Sequence, residues 1–152
     1  MGAVGKEENI EEVLAPVNDV FSIITDTTLA QSWGLTEKGA LIFPNEGKMR
    51  LGQIVDVRPR GLKEPIKVKV KLIHQGSFVE MEIVEGPMFG ILKLSVDTRP
   101  YGTLLTSVLD YRIEALGFNI KWKLSEKKHF KEMMTSILAN IKSMTESRPK
   151  QA

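Results

Sequence analysis

The sequence predicts an α+β domain in which antiparallel strands lay one dry face against a long C-terminal helix. Three observations carry this. Between about residues 39 and 114, apolar side chains recur at every second position. The links between these runs, "NEG", "QGS", "EGP" and "RPYG", are short and rich in turn residues, so consecutive strands form an antiparallel meander. Residues 118–146 then run without Gly or Pro, and Phe130, Met134, Ile137, Leu138, Ile141 and Met144 recur at helical spacing. Such a stripe needs an apolar surface to bury it, and the dry face of the sheet is the natural cover.

Taken in order, "NIEEVLA" (9–15) alternates partly and predicts a first strand. Pro16 suits the first turn of a helix over 16–26, where Val17, Val20, Phe21 and Ile24 form one face. A second short helix over 27–34 has Thr27 or Thr28 as its cap and Gly34 as its stop. Six strands follow, at 39–44, 48–58, 65–75, 78–85, 89–98 and 102–114. The link 58–65 is longer and looser than the others. Residues 1–6 and 147–152 read as frayed ends. The whole chain, 1–152, reads as one domain with an ordered core of about 8–146.

Composition narrows the function. A chain of 152 residues buries roughly 70% of its unfolded surface, enough for a substantial core. Apolar runs are far shorter than the ~20 residues a spanning helix needs, so no stable membrane insertion is expected. The N-terminus lacks a basic start followed by an apolar stretch, so no secretory signal is expected. Myristoylation is not expected either, because position 6 is Lys. There is no cysteine, which excludes disulfides and cysteine-ligated metal, and a cytoplasmic location fits. Net charge is +2 with both signs interspersed, which argues against nucleic acid or an anionic membrane as the partner.

Catalytic motifs are thin. The two histidines, His74 and His129, show no metal-binding spacing, and there is no GxSxG or phosphate-binding loop. No metal or cofactor is expected, and no catalytic residue is assigned. In "KVKVKLIHQG" (67–76), unbroken alternation puts His74 on the dry side with Val68, Val70 and Leu72. There it could bond a polar group on a guest, or it could sit at a strand end bonded to a carbonyl. Tyr111 shares a face with Leu105, Ser107, Leu109 and Ile113, and its hydroxyl is a second polar handle or a backbone-bonded phenol. Met49, Met81, Met88, Met133, Met134 and Met144 suit a surface that accepts varied apolar shapes, or an ordinary core. Lys67, Lys69 and Lys71 with Arg58, Arg60 and Lys63 form either a basic patch or a soluble face. The glutamates of 78–85 would neutralise that patch across the strand pair.

Three stretches carry a family likeness: "APVNDVFSIITDTTLAQSW", "YGTLLTSVLDYRI" and the helix ending "ILANIKSMTE". With the element order, they make residues 8–146 resemble the START-related helix-grip superfamily. Its members include polyketide cyclase/dehydrase-like proteins and pollen-allergen-like lipid binders. The resemblance implies a curved sheet wrapped around the last helix, with an apolar cavity between them that holds a lipid-like or polyketide-like molecule. It implies a lining of Val68, Val70, Leu72, His74, Met81, Ile83, Leu92, Leu94, Leu109, Tyr111, Met134, Ile137, Leu138 and Ile141. It also places Trp33 near the cavity mouth, where the plainer reading is a plug between helix and sheet. Two rival readings stay open. One is a cyclase or dehydratase using His74 and Tyr111; the other is a protein-interaction module with a filled core. The sequence does not settle the oligomeric state.

Overall fold

A computed structural model describes residues 3–63 and 66–148. The strands are β1 (Ala3–Val13), β2 (Leu35–Thr36), β3 (Gly39–Ile42), β4 (Ile54–Pro59), β5 (Ile66–His74), β6 (Phe78–Glu85), β7 (Phe89–Arg99) and β8 (Gly102–Ile113). The helices are α1 (Val17–Ile24), α2 (Thr27–Trp33), α3 (Leu116–Lys121) and α4 (Lys127–Glu146), with a π-helical stretch, Trp122–Glu126, joining the last two. All strands form one antiparallel sheet in the order β1-β8-β7-β6-β5-β4-β3-β2, curled into a half-barrel around the C-terminal helix.

Several elements depart from the sequence reading. Residues 3–6 are not frayed, because Ala3 to Lys6 pair with Ile113 to Asp110 at the edge of the sheet. Residues 1, 2 and 149–152, also read as frayed, lie outside the described residues. The two-residue β2 was not anticipated. The cap of α2 is Asp26, whose carboxylate accepts from the Thr28 N–H at 2.9 Å and from its hydroxyl. The expected single long helix is divided by the π stretch, whose one extra residue re-aims the side chains around it.

The largest correction concerns β5. Val70 pairs with Met81, but Leu72 pairs with Glu80, so Lys71 is an extra residue at a β-bulge. The bulge resets the alternation. Lys71 and Leu72 both face outward, Ile73 turns in to the core, and His74 is exposed. The His74 ring rests against Phe78 on the outer face, centroids 5.2 Å apart. Leu72 and His74 are therefore not interior residues. Half of the basic patch is paired: Lys67 and Arg58 both meet Asp56, at 3.3 and 3.0 Å, and Lys71 meets Glu82 at 3.9 Å.

Three surface carboxyls tie loops and termini together. Asp26 is held below its ordinary value of 3.8 chiefly by the Thr28 hydroxyl. Glu46 is held below 4.5 by Gln53 and then Arg50. Glu146 is held below 4.5 by the Leu14 N–H and then Lys142. A depressed folded-state value gives stability that is complete above the unfolded value and is lost as pH falls through the folded one. The expected outcome is a midpoint of thermal unfolding that is flat above the carboxylate range and drops below it. A midpoint unchanged on acidification through that range would contradict these bonds.

Candidate functional site

The space between sheet and α4 is filled. Val68, Val70, Met81, Leu92, Leu94 and Leu109 on the sheet meet Met134, Ile137, Leu138 and Ile141 on α4 in one apolar cluster, none more than 3% exposed. Ile83, slightly less buried, joins them. Side chains this closed leave no space for a water-sized molecule against the helix, so any guest has to displace them. Trp33 is fully buried away from any mouth. Its indole N–H donates to the Ile23 carbonyl at 3.1 Å, and its ring meets Phe43 edge-on at 5.3 Å. The surface formed by the described residues includes two open depressions. One, about 1280 Å³, lies between Pro16, Arg99, Tyr101 and Arg148; the other, about 560 Å³, lies beside Leu35 and Asn140.

At the other end of the grip, aromatic rings close the interior. Tyr111 meets Trp122 edge-on at 5.1 Å, and Trp122 meets Phe130 and Phe118 at 6.1 and 6.2 Å. Gly5, opposite Tyr111 on β1, makes room for this, because a Cβ there would overlap the phenol. Tyr111 is thus on the inner face, as its strand pattern implied, but His74 is on the outer face. The sheet separates the two, so no His74–Tyr111 pair is assembled.

A different polar set is assembled instead. Four buried side-chain atoms on the C-terminal helix have no protein partner: Asn119 Oδ1, Trp122 Nε1, Glu126 Oε2 and His129 Nδ1. Their spacing of three, four and three residues puts them on one inward helix face. A fifth such atom, Asn9 Oδ1, lies on β1, whose inner face is unusually polar. There Glu7 pairs with Lys127 at 3.3 Å and the Asn9 amide donates to the Thr135 hydroxyl at 2.7 Å. The Glu126 residue is only 3% exposed, and its Oε1 lies 3.9 Å from His129 Nδ1. Gly61, at φ +88°, turns the β4–β5 loop across this pair, leaving a Cβ position just 3.3 Å from His129 Nδ1. His129 is about one-third exposed and forms the rim.

Buried polar groups are nearly always bonded, and an unpartnered one costs roughly 1–3 kcal/mol. Concentrating four on one helix face is costly unless something bonds them. Asn119 Oδ1 and Glu126 Oε2 accept, Trp122 Nε1 donates and His129 Nδ1 can do either, a set that a donor-rich group such as an amine can bond. The carboxylate–imidazole pair can also hold or pass a proton. Sequence reasoning missed Asn119, Trp122, Glu126 and His129 because Lys121, Lys123, Lys127 and Lys128 interleave with them, which resembles a solvated face. The signal was their common helical face.

No family model matches this sequence, and no curated protein matches it. Solved structures do. Norcoclaurine synthase from Thalictrum flavum, in complex with dopamine and hydroxybenzaldehyde, is 18% identical over 98% of this chain and 91% of its own, with a TM-score of 0.71. The KanY protein is 14% identical over 95% and 99%, with a TM-score of 0.75. The TTHA0849 protein of Thermus thermophilus is 11% identical over 94% and 98%, with a TM-score of 0.72.

Proposed function

From the premise that the chain has the helix-grip fold, we propose that it is a small-molecule-binding module for an amphiphile. The polar end is taken by Asn119, Trp122, Glu126 and His129. The apolar body lies along Tyr111 and the inner sheet, displacing side chains among Val70, Met81, Ile83, Leu92, Leu94, Leu109, Met134, Ile137, Leu138 and Ile141. The observation that carries this is the set of four unpartnered polar atoms on one buried helix face. The fold's use for small molecules in norcoclaurine synthase supports it. The filled interior narrows the reading to a guest that moves Trp122 aside. No helix among the described residues is long and apolar enough to cross a membrane. A cytoplasmic site of action is part of the proposal, and the cysteine-free chain is compatible with it.

Dodecylamine, dodecanol and dodecanoate, each competed against a fluorescent apolar probe, test the reading. Dodecylamine is expected to bind best. Glu126→Gln and His129→Gln are each expected to weaken it by about tenfold or more, since a hydrogen bond to a charged group contributes roughly 1.5–3 kcal/mol. The melting temperature should hold or rise. Equal affinity of the three probes, or of parent and variants, would refute the assignment.

The 3.9 Å approach of Glu126 to His129 favours one second reading, a proton-transferring enzyme of the cyclase or dehydratase type. On that reading, His129→Gln abolishes turnover of a polyketone while its binding persists.

A further inference from the structure

We propose that the pole of the molecule formed by α3 and the π stretch docks reversibly on an anionic lipid surface. This inference rests on the outer face of the segment and is independent of what the interior binds. Leu116, Ile120 and Leu124 follow one another at four-residue spacing and are 65%, 52% and 80% exposed. The inward face of the same segment already carries Phe118 and Trp122, so the segment is apolar on two sides. Phe89, also more than half exposed, stands near this pole, with Arg112 5.1 Å from its ring.

The exposed charge within the segment is basic, and Glu114, just before it, is paired with Arg112 at 3.4 Å. Lys121, Lys123, Lys127 and Lys128 are all exposed. Lys127 pairs with Glu7 and Lys128 with Glu132, while Lys121 and Lys123 form no ion pair among the described residues. The one acid within the segment, Glu126, is buried and turned inward. Aliphatic wedges edged with lysine are the signature of a helix lying in a lipid interface, where the long lysine stems keep their ammonium groups among the headgroups. A protein partner is the poorer fit, because protein interfaces favour arginine and aromatic residues and are depleted in lysine. Three aliphatic side chains form a small wedge, so binding depends on the lysines and weakens with salt.

Flotation of the full chain with vesicles of phosphatidylcholine alone, or phosphatidylcholine with phosphatidylserine, at low and high salt, tests this. Binding is expected only to the phosphatidylserine vesicles, and it should be lost at high salt. Leu124→Glu should reduce it about tenfold or more. Each of Lys121→Ala and Lys123→Ala should reduce it about fivefold. Ile10→Glu, an exposed apolar position on β1, is the control and should leave it unchanged. No binding, equal binding to neutral vesicles, or an unaffected Leu124→Glu variant would overturn the proposal. Capture by polyglutamate with the same dependence on Leu124, and without vesicle binding, would assign the face to an acidic protein instead.

Discussion

Trp122→Ala is expected to lower stability by about 2 kcal/mol and to open the interior to apolar probes. Truncating a buried aromatic side chain costs roughly 3–5 kcal/mol through lost contacts and the cavity left behind. Trp122 is 1% exposed and touches Tyr111, Phe118 and Phe130, so most of that cost applies. Its indole N–H has no protein partner, and removing it returns roughly 1–3 kcal/mol. The two effects oppose each other, and the packing loss is the larger. Trp122→Phe separates them, because it keeps most of the ring and discards the N–H. That variant is expected to stay within about 1 kcal/mol of the parent or to exceed it. Denaturant unfolding gives both numbers, and titration with a fluorescent apolar probe reports the opening. If Trp122→Phe lost as much stability as Trp122→Ala, the N–H would have to be bonded, and the unpartnered polar set would lose a member.

Deleting Lys123 should be far less damaging than deleting a residue from regular α-helix. The π stretch Trp122–Glu126 holds one residue more than an α-helical path requires. Removing one exposed residue there lets the helix run through in α geometry, with the segments on either side kept in phase. The expected loss is no more than about 1–2 kcal/mol. Deleting Ala139, exposed in the middle of α4, instead turns the two halves of that helix by about 100° relative to each other. Ile141 and Met144 then leave the face that Met134 and Ile137 present to the sheet, and the expected loss is about 3 kcal/mol or more. Lys123→Ala should change stability by no more than ~0.5 kcal/mol. Denaturant unfolding gives all three numbers. Equal losses from the two deletions would show that the π stretch holds no spare residue.

Much of the fold was legible because its strands obey a period of two on a half-buried sheet. Val68, Met81, Leu92, Leu94 and Leu109 face the core where alternation put them, and the stripe of α4 meets them. His74 and Leu72 were illegible for a specific reason. A bulge at Lys71 adds one residue to the count, and nothing in "KVKVKLIHQG" distinguishes an added lysine from a regular one. The cap of α2 was misread by one or two positions because Asp26, Thr27 and Thr28 are all competent caps, and backbone geometry decides among them. β2 is held by two register pairs with β3, too few to leave a periodic pattern. The polar set on the last helix was hidden by a compositional disguise. A glutamate amid lysines is ordinarily solvent-facing, and only its spacing of four from Trp122 and three from His129 marks Glu126 as inward.

The pairing of Ala3 with Ile113 also bears on how the chain comes off the ribosome. β1 is made well before its neighbour, because about a hundred residues must be synthesised in between. At 5–20 residues per second, that is a wait of roughly 5–20 s. The meander from β3 to β8 can meanwhile assemble hairpin by hairpin from short-range contacts, whereas β1 and the C-terminal helix must close long loops. Nascent chains arrested before Ile113 would therefore leave β1 open to protease, and chains in which residues through Glu146 have emerged would protect it.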